Sequence, residues 1–252
     1  MLKTRVMPIV LLSGYNVVKS VQFSSFRTLG NPITVSRVYD SRGVDELVLL
    51  DIRATPEGRG PNVEIIRDLS GECFMPLTVG GGIKTVEQAR ELLRSGADKI
   101  AINTAAVENP ALLHELSEEF GAQCVVVSID AQIDPQGLAR VVTHSGKRPT
   151  QLTPPEWAAR AQELGAGEIL LNSVDQDGVM KGFDLSLIRS VTDRVQIPVI
   201  ACGGAGTVHD FGRAILEGQA SAVAAASVFH FTSITPRMVK EHLHSLNLPV
   251  RL

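Results

Sequence analysis

The sequence predicts an α/β fold, an eight-stranded (β/α)8 barrel of the TIM type assembled from two half-barrels. Three observations carry that expectation: an internal repeat, a regular alternation of apolar runs with amphipathic segments, and the chain length. The repeat pairs Glu46 with Glu168, Gly60 with Gly182, Ile66-Arg67 with Ile188-Arg189, Gly81-Gly82 with Gly203-Gly204, Thr85-Val86 with Thr207-Val208, and Gly96 with Gly218. Each partner lies 122 positions on, as Glu168 does from Glu46. Every match runs through an apolar stretch, a glycine turn and an amphipathic segment, so the repeating object is a βα unit. The 252 residues are near the ~250 typical of one such barrel. Without a Pro/Ser-rich or charged linker, residues 1–252 read as one domain, with halves of about 1–122 and 123–252.

The apolar runs ended by polar or glycine turns place eight strands: Arg5 to Leu12, Glu46 to Asp51, Pro76 to Val79, Lys99 to Ile102, Cys124 to Asp130, Glu168 to Asn172, Pro198 to Cys202, and Ala222 to Ala225. Between them, Thr85 to Ser95, Pro110 to Phe120, Pro154 to Leu164 and Val208 to Leu216 carry apolar residues at helical spacing, several opened by Thr or Pro. Continuous apolar strands alternating with helices imply a parallel sheet covered on its outer face, and the half-to-half symmetry favours closure over an open sheet. The segment Ile133 to Lys147 is long for a βα loop and contains a strand-like Arg140 to Thr143. It reads as a hairpin on the rim, with Ser145 and Gly146 in reach of a ligand.

Composition excludes several functions. A formal net charge of −3 offers no basic excess for nucleic acid, and 44% hydrophobic residues suffice for a core. The run Val6 to Leu12 is too short to span a bilayer, and no cleavage site follows it. Cys73, Cys124 and Cys202 are odd in number and scattered, as expected of reduced thiols in a cytoplasmic protein. His144, His209, His230, His242 and His244 show no metal-ligand spacing, so neither metal nor cofactor is expected. Cys202 has no identified base, and Trp157 reads as outer-layer packing.

In such barrels chemistry belongs at the carboxyl ends of the strands. There Gly80-Gly81-Gly82 and Gly203-Gly204 each follow a strand and precede a helix, and Asn103-Thr104 and Ala226-Ser227 follow the next strands. Glycine lets backbone N–H groups approach an anion that the helix dipole also favours. Two such cradles imply a ligand with a phosphate at each end. The competing reading is that these glycines only make tight turns. Duplication at matching positions favours the anion.

The runs DELVLLDI (Asp45 to Ile52), LTVGGGIKT (Leu77 to Thr85), GADKIAINTAAVENP (Gly96 to Pro110), VVVSIDA (Val125 to Ala131), GAGEILLNS (Gly165 to Ser173) and GGAG with AASVFHF (Ala225 to Phe231) resemble the cyclase subunit of imidazole glycerol phosphate synthase over nearly the whole chain. The resemblance implies a barrel that binds a glutaminase subunit on its N-terminal face, passes ammonia through its centre and uses it on a bis-phosphorylated ligand. It also implies two catalytic aspartates, at the ends of strands one and five, and a lysine in the first βα loop. Asp130 and Lys19 match two of these, but Leu11 stands in the first-strand place. Paired carboxylates can divide the giving and taking of protons; leucine can do neither, and a lost acid-base group typically costs ~10²- to 10⁴-fold in rate. The other reading makes Leu11 a barrel filler, with Asp51 or Asp177 taking over. Asp177 and Gly178 join the two cradles in the ligand-binding set.

Ser13-Gly14-Tyr15-Asn16 replaces a charged turn usual in the family, and Asn172 stands where a threonine is more common. The resemblance further makes Arg5, Glu46, Lys99 and Glu168 a ring of alternating charge gating ammonia at the bottom of the barrel, and Asp98 a contact to the glutaminase. A ring maintained for stability alone is equally open. Leu11, with EGRGPN (Glu57 to Asn62) and ECFMPL (Glu72 to Leu77), looks most like paralogues that supply ammonia for amidation of a surface-polysaccharide sugar, alongside a sugar amidotransferase. Two further hypotheses stand beside it: an intact histidine-pathway cyclase, and a non-catalytic channelling partner.

Overall fold

The computed structural model describes residues 3–252. Eight parallel strands close a barrel: β1 (Arg5–Ser13), β4 (Leu47–Asp51), β5 (Leu77–Gly80), β6 (Lys99–Ile102), β7 (Val125–Ile133), β10 (Glu168–Ser173), β11 (Val199–Cys202) and β12 (Ala222–Ala225). They neighbour one another in that order, and β12 pairs back onto β1, with Arg5 opposite Ala222 and Pro8 opposite Ala225. Two antiparallel additions rise from the ends of β1 and β7. The first is β2 (Asn16–Val21) with β3 (Ser24–Gly30); the second is β8 (Ala139–Thr143) with β9 (Arg148–Pro149). The helices are α1 (Pro32–Ser41), α2 (Val63–Ser70), α3 (Val86–Arg94), α4 (Thr104–Glu108), α5 (Ala111–Phe120), α6 (Pro154–Glu163), α7 (Leu185–Thr192), α8 (Val208–Leu216), α9 (Ser227–Phe231) and α10 (Pro236–Ser245). None is long and apolar enough to cross a membrane.

Strand alternation explains two cores. Val6, Val10, Leu12, Ile169 and Leu171 face the helices, where they meet Trp157, Phe211 and the other apolar helix faces. Residues of the other parity, among them Met7, Ile9, Val48, Ala101, Val126, Leu170, Ile200 and Ala224, fill the barrel interior. The same parity fixes both ends of the axis. Arg5 and Leu11 share a face of β1; Lys99 and Asn103 share one of β6 and the residue after it; Glu168 and Asn172 share one of β10. A charge pointing inward at the bottom therefore sends Leu11, Asn103 and Asn172 inward at the top.

The eight strands lie where the apolar runs place them, with small shifts. Glu46 and Pro76 precede their strands, and Cys124 belongs to a single 3-10 turn before β7. The four helical segments read from periodicity are α3, α5, α6 and α8. The pattern does not reveal β2 and β3. Gly14 opens the first turn at φ 61°, the conformation a two-residue hairpin needs there, but Gln22 and Phe23 make the second turn at φ 50° and 57° without glycine or asparagine.

Candidate active site

The open end of the barrel carries one large pocket whose wall includes Lys19, Asn103, Asp130, Asn172 and Asp177. Leu11, Gly81, Gly82, Thr104, Gly178, Gly203, Gly204, Ala226 and Ser227 line it as well, whereas Gly80 of the first cradle and Gly146 of the rim hairpin lie outside its wall. Ser145 of the rim lines it too, its hydroxyl donating to the Ile52 carbonyl at 3.2 Å.

Asp130 points inward from β7, between Asn172 of β10 and Asn103, the residue after β6. Their amide groups donate to it, Asn103 Nδ2 to Oδ2 at 2.7 Å and Asn172 Nδ2 to Oδ1 at 3.3 Å. Burial raises the Asp130 carboxyl to about 6, and nearby Asp177 adds repulsion; the two amide hydrogen bonds oppose the rise. A carboxyl poised there can hold or release a proton near neutrality.

Lys19 is buried in β2 and donates to both oxygens of Asp177, at 2.8 and 2.9 Å. Asp177 is pushed up by burial while Lys19 pulls it back. Asp51 is differently engaged. Its parity on β4 is that of the outward-facing Leu47 and Leu49, and its carboxylate takes Arg59 Nη1 at 2.7 Å, Arg59 Nη2 at 3.0 Å and the N–H groups of Arg53 and Ala54. A carboxylate so clamped is a loop staple and a poor proton carrier. Leu11 packs with Leu50, Cys202 and Ala226 on the inner apolar cluster while also lining the pocket.

The glycine turns are crowded. Gly81 (φ 104°) has no room for a Cβ against the Asp51 carbonyl, nor Gly204 (φ 112°) against that of Gly182. Close backbone approach alone therefore requires glycine at these positions. The N–H groups of Gly82 and Gly204 meet no acceptor among the described residues, and the Ser227 hydroxyl is buried without a partner.

At the opposite end the four charges form a closed ring. Arg5 Nη1 donates to Glu46 Oε2 at 2.7 Å and Arg5 Nη2 lies 3.1 Å from Glu168 Oε1. Lys99 Nζ reaches Glu46 Oε2 at 3.0 Å and Glu168 Oε1 at 3.1 Å. Thr78 adds a short hydrogen bond to Glu46. Asp98 is exposed on the same face and its Oδ2 accepts the Leu77 N–H at 2.8 Å.

Residues 5–235 match the family described as "Histidine biosynthesis protein". Imidazole glycerol phosphate synthase subunit HisF of Nocardia farcinica (strain IFM 10152) is 48% identical over 253 residues, covering 98% of each chain. The chain belongs to this cyclase family. Within the cyclase barrel, sequence reasoning missed the Arg59 clamp on Asp51 and the inward-lying Ser20, whose hydroxyl is buried without a partner in the pocket wall. It set His230 aside; the imidazole Nδ1 lies 3.3 Å from Tyr39 Oη, and burial with the nearby Lys19 charge lowers it to about 4, leaving it neutral at pH 7. Only partnership across elements reveals these residues.

Proposed function

We propose that this cyclase-family barrel is the ammonia-using synthase subunit of a glutamine amidotransferase, serving amidation of a surface-polysaccharide sugar rather than imidazole ring closure. A glutaminase subunit docks on the N-terminal face at Asp98, and ammonia enters through the ring of Arg5, Glu46, Lys99 and Glu168. It travels up the apolar interior and emerges at Asp130. A phosphorylated ligand spans the two cradles, one at Gly81, Gly82, Asn103 and Thr104 and the other at Gly203, Gly204, Ala226 and Ser227, with Asp177 and Gly178 beside Lys19. The free N–H groups of Gly82 and Gly204 support the anion reading.

The single observation that carries the reading is Leu11. It sits inward at the top of β1, where the family's first acid would be; of the other acids of the pocket, Asp51 is engaged by Arg59 and Asp177 by Lys19, and Glu108 is exposed on the rim beside His144. Asp130 is left as the buried carboxyl free of a cation, enough for one side of the proton traffic. The 48% identity to a HisF subunit keeps histidine-pathway cyclisation as the second reading. Co-purification with a glutaminase encoded beside this gene, followed by glutamine-dependent amidation of a sugar acceptor by its neighbouring amidotransferase, tests the assignment. Amidation that proceeds equally without this chain counts against it.

A further inference from the structure

The two glycine cradles repeat at 122 positions, but what holds them does not. An added Cβ at Gly82 would lie 2.7 Å from both the Ala54 Cβ and the Arg59 carbonyl oxygen, so the first turn seats on the loop after β4. One carboxylate fixes both contacts. Asp51 accepts the Ala54 N–H at 3.2 Å and, from the far end of that loop, Arg59 Nη1 at 2.7 Å and Nη2 at 3.0 Å. The Asp51 side chain is only 4% exposed, so this two-pronged pair is shielded on the carboxylate side, whereas the exposed Glu57 bridges to Arg53 and Arg59 contribute little.

The second cradle is built without such a pair. Ser173 and Lys181 stand 122 positions after Asp51 and Arg59; serine has no charge to offer, and Lys181 is exposed. Gly204 seats instead against Gln176 and Gly182, the counterparts of Ala54 and Gly60, and the Gly182 N–H donates to the Gly204 carbonyl at 2.8 Å. No such bond joins Gly60 to Gly82 among the described residues. The helix ends of the two turns are anchored alike: Gln88 Oε1 accepts the Lys84 N–H at 2.7 Å, and its counterpart Asp210 accepts the Gly206 N–H at 2.9 Å. The halves therefore differ in one strut, a backbone bond in the second and a side-chain ion pair in the first. We infer that Arg59 is a positioning residue for the ligand: through Asp51 it holds the Gly82 N–H in the orientation that meets an anion, while Gly204 keeps its orientation through the backbone bond to Gly182. Arg59 stands outside the pocket wall with both Nη atoms on Asp51, so it acts through the loop and not by contact. The inference rests on the anion reading of the two cradles and names what builds the first of them.

The test is ¹H–¹⁵N spectroscopy of the full chain, reading the Gly82 and Gly204 amides in the same molecule so that one cradle is the control for the other. Inorganic phosphate is titrated against sodium chloride at matched ionic strength, and backbone order parameters are measured without phosphate. In the natural chain phosphate should shift both amides saturably. In Arg59→Met the affinity read at Gly82 should fall about tenfold while that read at Gly204 stays within about twofold. The Gly82 order parameter should drop from the rigid range near about 0.85 towards about 0.6, with Gly204 unchanged. Arg59→Lys, which keeps the charge and loses the two-pronged grip, should fall between, and Lys181→Met should change neither cradle. Equal weakening at both amides, or an undiminished affinity at Gly82, overturns the inference. Phosphate that shifts neither amide of the natural chain refutes the anion reading instead, and the order parameters then decide the clamp by themselves: a drop confined to Gly82 supports it, and no drop overturns it.

Discussion

Lys19 Nζ lies within 2.9 Å of both carboxylate oxygens of Asp177, a buried ion pair that fastens β2 to the loop after β10. Gln22 extends the seam, its N–H donating to the Asp177 carbonyl at 2.9 Å and its side chain to that of Asp175 at 2.8 Å. These bonds hold a turn whose φ values disfavour Gln22 and Phe23. Lys19→Met strands a buried carboxylate and should cost about 3–5 kcal/mol at pH 8. The Asp177 carboxyl, already raised, should rise further. A raised carboxyl contributes stability that is full below the unfolded value near 4 and is lost as pH climbs through the folded one. Urea unfolding should therefore show a smaller loss at pH 4 than at pH 8; an equal loss at both would refute the pairing.

Glu46 meets two cations of the bottom ring and is 2% exposed, so Glu46→Gln should destabilise on the order of 2 kcal/mol. That is less than the about 3–5 kcal/mol of a fully buried pair because Arg5 and Lys99 keep some contact with water. Stability and gating separate in a second measurement. If the ring governs ammonia passage, Arg5→Ala alters glutamine-driven turnover and spares ammonium-driven turnover; a purely structural ring moves both together.

Asp130 should make the protein less stable as pH rises. Its carboxyl, raised to about 6, adds stability that is full below the unfolded value near 4 and disappears as pH climbs through 6. Asp130→Asn removes that penalty, so its unfolding free energy should exceed the natural protein's at pH 8, by at most about 3 kcal/mol for a two-unit shift, and the advantage should vanish by pH 4. Thermal scans across that range check it. A pH-independent difference would mean the carboxyl is not desolvated.

Asp98 has two separable roles, because its carboxylate accepts the Leu77 N–H while presenting charge on the exposed bottom face. Asp98→Asn keeps an acceptor and loses the charge; Asp98→Ala loses both. Calorimetry with the glutaminase should find both variants weakened, while unfolding should find only Asp98→Ala less stable, by about 1 kcal/mol. Unchanged binding by Asp98→Asn would remove the charge from the interface.

The barrel was legible because its determinants are periodic. Inward parity on β1, β6 and β10 is written in the two-residue spacing from Arg5 to Leu11, Lys99 to Asn103 and Glu168 to Asn172, and the glycine turns recur in both halves. The β2–β3 hairpin was not legible. Gln22 and Phe23 adopt a turn their side chains disfavour, held by contacts to residues more than a hundred positions away, and no local pattern encodes such support. The Arg59 clamp escaped for a related reason: a loop arginine and a strand-end aspartate eight residues apart carry no signature until the chain folds. The glycines proved ambiguous in a way sequence could not resolve, since crowding at Asp51 and Gly182 demands them whether or not an anion binds.

The most direct test of Leu11 as the switch in function is steady-state turnover of the histidine-pathway cyclase substrate with saturating ammonium at alkaline pH. The natural chain, Leu11→Asp and Asp130→Asn are compared. The natural chain and Asp130→Asn should sit at background, and Leu11→Asp should gain measurable activity, limited by the altered loop around Tyr15. A natural chain that turns over at ordinary enzyme rates, with Asp130→Asn abolishing the activity, would contradict the sugar-amidation role and make this barrel a histidine-pathway cyclase.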